Sequence, residues 1–247
     1  MRKSINIPVH IITYALTNRV TNHLKLFVYL KVNCKGFICY NKNTLRLWAK
    51  EIGLSDKTVS NCINWLFKNR WISCNSKREA IHVVSFKKIL QKVKRFTLRS
   101  VAYFEPRSIL DYKYFKAFCC AAAVGCAIRK QKYINSKRSA SSKGIAITNR
   151  LERKFGFSAL ANSYLAKYLN VSVSTAFRYK KEACNAGFIE IRKNEKYLRT
   201  NGEKISASLI NLFKTYNVEN GLKTKNGFII EVLSDSVKSN ILIKRKK

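Results

Sequence analysis

Acidic residues are scarce in this chain: 13 Asp and Glu stand against 49 Lys and Arg in 247 residues, a formal charge of +36. The acids are scattered, mostly singly, so no carboxylate cluster offers to hold the metal ions that nuclease or polymerase chemistry needs. Histidine is scarcer still: His10, His23 and His82 lie far apart and suggest no catalytic set. The eight cysteines include no Cys-x2-Cys, and no His-x3–5-His accompanies them, which removes the usual zinc spacings. Cys62, Cys119 and Cys126 fall at apolar helical positions, where a reduced thiol acts as a small hydrophobe. Long hydrophobic runs are missing too. The most apolar stretch, Ala117 to Ile128, is about half of what spans a bilayer and is bracketed by Lys116 and Arg129. The basic N-terminus is interrupted by Asn6, Pro8 and His10, without a small-residue cleavage site. These absences argue for a protein that is not an enzyme, uses no cofactor or metal, and resides in the cytoplasm without a membrane partner.

What is present is charge together with enough apolar material to fold. Hydrophobic residues make up 47%, sufficient for packed cores, and the length suits one large domain or two ordinary ones. Self-repulsion at +36 is unfavourable unless a polyanion neutralises it, and nucleic acid is the commonest such partner. An anionic membrane surface is the rival on charge alone.

An internal repeat gives that charge a shape. Residues 45–72 and 162–189 align without a gap. Ala49, Gly53, Leu54, Ser55, Thr58, Val59, Cys62 and Trp71-Ile72 recur as Ala166, Asn170, Val171, Ser172, Thr175, Ala176, Tyr179 and Phe188-Ile189, each 117 positions later. Both copies read as helix, tight turn, helix, strand. In the first, Asn43 or Thr44 can cap a helix whose apolar face is Leu45, Trp48, Ala49 and Ile52. Gly53 supplies the turn, because without Cβ it enters the left-handed region cheaply. Ser55 then caps a helix from Asp56 to about Asn69, with Val59, Cys62-Ile63 and Leu66 inward. Upstream, Val20, Leu24, Phe27 and Val28 trace a helix over Asn18–Asn33, followed by a short strand at Phe37–Tyr40. Downstream, Trp71–Cys74 and Ile81–Val84 flank a polar turn as a hairpin.

The order helix, strand, helix, helix, hairpin resembles the winged helix-turn-helix family, and Leu45–Ile72 carries the likeness. The resemblance implies that the third helix lies in the major groove and the hairpin touches the backbone or the minor groove. Carried onto this chain, the groove-facing residues are Lys57, Ser60, Asn61 and Asn64, with Lys68 towards the phosphates. Asn61 and Asn64 are the expected base readers, since Asn pairs bidentately with adenine.

The second copy runs from Ala161 to Lys193, with Asn162 or Ser163 as cap. Its turn residue is Asn170, the non-glycine residue that best tolerates positive φ. Its groove-facing set is Ser174, Phe177, Arg178 and Lys181, and its hairpin would carry Arg192, Lys193 and Lys196 at the tip. Lys180 stands where the first copy has Ile63, so either the helix rolls or the lysine stem snorkels past the core. A helix through Phe115, Phe118-Cys119, Ala122 and Cys126 precedes this copy, and Pro106 and Ser108 mark its start. Between them Arg129–Lys154 reads as a basic, flexible, Ser-bearing loop in which Lys137, Arg138 and their neighbours would contact phosphate, the alternative being a solvated insertion.

The expected architecture is mainly α with small β-wings: tandem winged helix-turn-helix domains at 1–86 and 108–201, a basic connector at 87–107, and a C-terminal region, 202–247. The connector has Ile89, Leu90 and Val93 at helical spacing. In the C-terminal region Ile205 to Tyr216 forms an amphipathic stripe that would pack on the second module or on a second copy of the chain, as in a homodimer. Phe228–Val232 could pair with Ile241–Ile243 as a hairpin. The expected function is sequence-specific binding of double-stranded DNA by a nucleoid-associated protein, as a transcription regulator or an initiator. The tandem layout is similar to that of plasmid and phage replication initiators. The alternative is an architectural DNA- or RNA-binding protein driven by charge, with steep salt dependence and little sequence preference.

Overall fold

A computed structural model describes residues 4–33, 36–39, 41–75, 80–93, 100–141, 156–193, 195–197, 222–225, 228–232 and 234–245. It is mainly helical with small antiparallel sheets. The first half runs β1 (Ile5–Pro8), α1 (Val9–Thr17), α2 (Thr21–Asn33), β2 (Phe37–Cys39), α3 (Lys42–Ile52), α4 (Asp56–Lys68), β3 (Ile72–Asn75), β4 (Ala80–Val83) and α5 (Phe86–Lys92). The second half opens with β5 (Ser100–Phe104), α6 (Ile109–Lys113), α7 (Phe115–Ser141), β6 (Ser158–Ala159), α8 (Asn162–Leu169), α9 (Val173–Asn185) and β7 (Ile189–Arg192). The chain goes on through β8 (Glu195–Tyr197), β9 (Leu222–Lys225), β10 (Phe228–Val232), β11 (Ser236–Ser239) and β12 (Ile243–Arg245).

The duplication reaches beyond the aligned segment. Each half passes through strand, helix, helix, strand, helix, turn, helix, strand. Each also closes a three-stranded sheet of the same order, β2-β4-β3 in one and β6-β11-β7 in the other. In the first sheet Ile38 and Cys74 both pair with Ile81 of the central strand, and in the second Ala159 and Arg192 both pair with Ser236. β1 and β5, the like-placed opening strands, pair antiparallel from Ile5↔Phe104 to Pro8↔Val101. Antiparallel pairing of equivalent strands is the relation that a two-fold axis generates. The helices obey it as well: α1 packs on α7 and α8 of the second half, and α6 packs on α3 of the first. Thr17 Oγ1 donates to the Leu169 carbonyl at 2.7 Å, and the Tyr179 hydroxyl donates to the Leu16 carbonyl at 2.9 Å. Across the pseudo-axis Tyr112 of α6 meets Tyr29 edge-on at 5.6 Å, while Tyr29 donates to Glu51 of α3. Buried side chains of both halves form one continuous core.

Local chemistry explains the elements. Trp71 enters the first core edge-on to Phe27 of α2 at 5.4 Å, and its repeat equivalent Phe188 meets Phe118 of α7 at 6.2 Å. Burying side chains such as Ile52, Ile63 and Leu66 contributes roughly 1.5–3 kcal/mol each. Apolar Ala117–Ile128 occupies the inner part of α7, and among the described residues no helix is long and apolar enough to cross a membrane. Gly125 of α7 is where the C-terminal segment passes: a Cβ there would lie 2.8 Å from Ile243 Cδ1 and 2.9 Å from Ser239 Oγ.

Several expectations need correction. The helix of the first repeat begins at Lys42 and is capped by Asn41, whose side chain accepts from Thr44 N while Thr44 Oγ1 accepts from Asn41 N, a reciprocal box that puts the start earlier than Asn43 or Thr44. The N-cap of α8 is Ala161, with no side-chain cap, rather than Asn162 or Ser163. Residues 129–141, read as loop, continue α7. They contain no Gly or Pro, and Lys, Arg and Gln are good helix formers, so like charge alone does not end the helix. Residues 142–155 lie outside the described residues, as does the stripe from Ile205 to Tyr216. Phe228–Val232 does not form a hairpin with Ile241–Ile243. It pairs with Tyr197 and its neighbours on one side and with Leu222–Lys225 on the other, while Ile243 pairs with Ala102 of β5. The second-repeat hairpin is likewise not local, because β7 takes β11 as partner.

Lys180 neither rolls the helix nor snorkels. It is buried at 1% exposure, like its counterpart Ile63, and its Nζ donates to Asp235 Oδ2 at 2.9 Å and to the Leu160 carbonyl at 3.2 Å. Asp235 arrives from the residue before β11, so a distant segment supplies the charge that the repeat lacks. Lys25 of α2 is buried too. Its Nζ donates at 3.1 Å to the Ile52 carbonyl, at the C-terminal end of α3 where the helix dipole favours a cation. Burial nonetheless holds this ammonium below its ordinary pKa, and it pushes the neighbouring Cys62 thiol up to about 11.

Candidate nucleic-acid interface

The two helix–turn–helix pairs superpose in detail down to single hydrogen bonds. Gly53 (φ 65°) and Asn170 (φ 54°) are both left-handed, as are Arg70 (φ 57°) and Gly187 (φ 74°) at the end of the second helix. Leu54 N donates to the Ala49 carbonyl and Val171 N to the Ala166 carbonyl, each at 3.0 Å. Ser55 Oγ and Ser172 Oγ each accept from the amide three residues on, at 3.2 Å. Small residues at 49 and 166 let the paired helices approach, and both are buried. A Cβ added at Gly53 would meet open space, so Gly53→Ala has only a backbone cost. That cost is about 1 kcal/mol, a fall in Tm of about 2–4 °C by thermal denaturation. Asn170→Gly should leave Tm within about 2 °C of the parent.

This scaffold sorts α4 and α9 into two faces. On α4, Val59, Cys62, Ile63 and Leu66 are buried, whereas Lys57, Asn61, Asn64 and Lys68 are exposed at steps of four, three and four, with Ser60 half-buried beside them. On α9, Ala176, Lys180 and Ala183 are buried, and Ser174, Phe177, Arg178 and Lys181 are exposed. Phe177 is 51% exposed and has exposed Val173 beside it, an apolar spot on an otherwise polar surface. Each predicted set is thus brought together on one helix face. An exposed ion pair, Arg46 with Asp56 at 3.8 Å, spans the first turn and contributes little.

The remaining predicted residues separate. Arg192 sits within β7, not at a hairpin tip, and its guanidinium stacks 4.0 Å over the Phe157 ring. Lys193 is exposed just after that strand. Lys196 lies in β8, which pairs with β10. Lys137 and Arg138 lie in the distal part of α7. The side chains of these last three are outside the described residues. No protein-family model matches this chain, and no curated protein or solved structure matches it either. Among the described residues, no group of three or more His, Cys, Asp and Glu side chains could hold a metal ion.

Sequence reasoning missed a cleft of about 470 Å³ where the halves meet, beside the start of α9. Arg19 and Asn22 line it from the first half, and Lys116, Thr175, Arg178 and Glu182 from the second. Lys116 Nζ pairs with Glu182 Oε2 at 2.7 Å. Burial alone would lower the Lys116 ammonium, but the hydrogen-bonded carboxylate carries it above its ordinary value. Burial, with help from nearby Glu182, also raises the Tyr179 phenol, which keeps it a donor to Leu16. Arg19 and Lys116 belong to elements outside the aligned repeat, so no local pattern could assign them to this place.

Proposed function

We propose that this chain is a sequence-specific double-stranded DNA-binding protein with tandem winged helix-turn-helix modules, acting as a transcription regulator or a plasmid- or phage-type replication initiator. One observation carries the reading: two geometrically repeated helix–turn–helix pairs each present an exposed polar and basic helix face, in a chain of net charge +36. In the sheet orders β2-β4-β3 and β6-β11-β7, each strand following the turn-linked helices lies at a sheet edge, and in the first half it pairs with the next strand, β4, as a wing hairpin would. The antiparallel pairing of β1 with β5 supports a two-fold relation between the two pairs, like that of the protomers of a dimer. Half-sites read by α4 and α9 would therefore run in opposite senses on the duplex and, since the exposed residues differ, would differ in sequence.

On α4, Asn61 and Asn64 suit adenine, while Lys57 and Lys68 suit phosphate. Selection from a random duplex pool should enrich a defined two-part site, and Asn61→Ala should relax one position of it by roughly 1–3 kcal/mol of discrimination. Uniform retention of every sequence, or equal competition by single-stranded RNA, would favour a charge-driven binder instead.

A further inference from the structure

The cleft between the halves holds two guanidinium groups with no ion-pair partner among the described residues. Arg19 comes from the turn between α1 and α2, and Arg178 from the outward face of α9. Glu182, the acid in the cleft, is already engaged by Lys116. We infer that this cleft is a phosphate-binding site, in which Arg19 of one half and Arg178 of the other bracket a single phosphodiester of the bound duplex. The inference rests on the DNA-binding reading and assigns Arg178, one of the groove-facing set expected on α9, to the backbone.

The geometry supports that role. Arg178 Nη2 donates to Thr175 Oγ1 at 3.2 Å, which draws the guanidinium back along the helix towards its N-terminal turn. There the dipole favours an anion. Arg19 holds a left-handed backbone (φ 58°), secured by Val20 N donating to the Ala15 carbonyl at 2.9 Å, so the turn that carries it is fixed. Planar forks from two sides match the tetrahedral oxygens of a phosphate, and a duplex lying along α9 would pass its backbone over the cleft mouth. Because the halves contribute one arginine each, the phosphate would also tie them in their relative placement.

The test uses full-length protein and the exposed-surface variants Arg19→Gln, Arg178→Gln and the double variant, with thermal denaturation confirming that each folds. Duplex affinity is measured across a salt series. The double variant should flatten the slope of log K against log salt by about 0.9, one phosphate's worth, without changing the preferred sequence. A loss of about 1.8 would mean two separate phosphates, and no loss would mean no contact; either overturns the shared bracket, as does an altered preference. Inorganic tripolyphosphate, titrated without DNA and followed by arginine side-chain NMR, separates the sources. Weak, millimolar binding lost in the double variant fits a site built for backbone phosphate, whereas micromolar saturation would make a free polyphosphate the ligand and overturn the duplex assignment. If the parent protein binds no duplex, the DNA reading fails by itself. The tripolyphosphate titration then decides the site: binding lost in the double variant upholds it, and no binding overturns it.

Discussion

Replacing Asp235 by Ala is expected to lower the melting temperature by about 6–12 °C, which corresponds to about 3 kcal/mol in a protein of this size. The size follows from asymmetry in the pair. The Lys180 side chain is 2% exposed and that of Asp235 27%, so the variant strands an ammonium inside the core while the lost carboxylate stood near water. One neutral acceptor, the Leu160 carbonyl at 3.2 Å, would remain. Removing the lysine instead should cost much less. Lys180→Met leaves an apolar side chain where the first repeat has Ile63, and Asp235 can turn to solvent. The double variant Lys180→Met/Asp235→Ala should melt within a few degrees of the parent or above it, because hydrophobic replacements of buried pairs are often neutral or stabilising. The order of melting temperatures is the check. If Lys180→Met proved as damaging as Asp235→Ala, the pair would be stabilising in its own right rather than a buried charge that needs its partner.

Lys180 also marks the limit of what the chain discloses locally. The repeat was legible because its determinants lie within a few residues of one another: a small residue, a left-handed turn residue, a serine cap and an inward stripe. The structure repeats each of these down to the hydrogen bonds at Ser55 and Ser172. Two exposed helix faces were legible for the same reason, since helical spacing alone separates Asn61 from Cys62 and Phe177 from Ala176. What long-range pairing decides was not legible. The central strand of the second sheet is β11, more than forty residues after β7, and nothing local to Ser236–Ser239 names Ile189–Arg192 as its partner. β1 on β5 and Asp235 on Lys180 are contacts of the same kind, and Arg19 and Arg178 come to line one cleft in the same way. The helical course of residues 129–141 was misread for a different reason: clustered like charge resembles a loop signal, yet Lys and Arg do not oppose the helix and here no breaker interrupts them.

Blanking either exposed helix face should lower affinity for the selected duplex by at least about 100-fold. The first variant is Lys57→Ala/Asn61→Ala/Asn64→Ala/Lys68→Ala, and the second is Ser174→Ala/Phe177→Ala/Arg178→Ala/Lys181→Ala. The reason is multivalency. On the proposed reading, two modules fixed by one core would engage the duplex as a unit, so the second contact would form at an effective concentration in the millimolar range or above, and losing either module would forfeit about 10²–10⁴ in affinity. The replaced residues are exposed, apart from half-buried neighbours that stay, so Tm should hold while binding falls. The two variants should fail differently. Loss of the α4 face removes two Asn readers and should erase sequence preference over its half-site while leaving much of the salt dependence. Loss of the α9 face takes away Arg178 and Lys181 and should flatten the salt dependence more than it shifts the preferred bases. Equilibrium binding to the intact site and to each half-site scrambled in turn measures both effects. If one variant bound like the parent at every salt concentration, only the other helix would be reading DNA, and the two-module interface would be wrong.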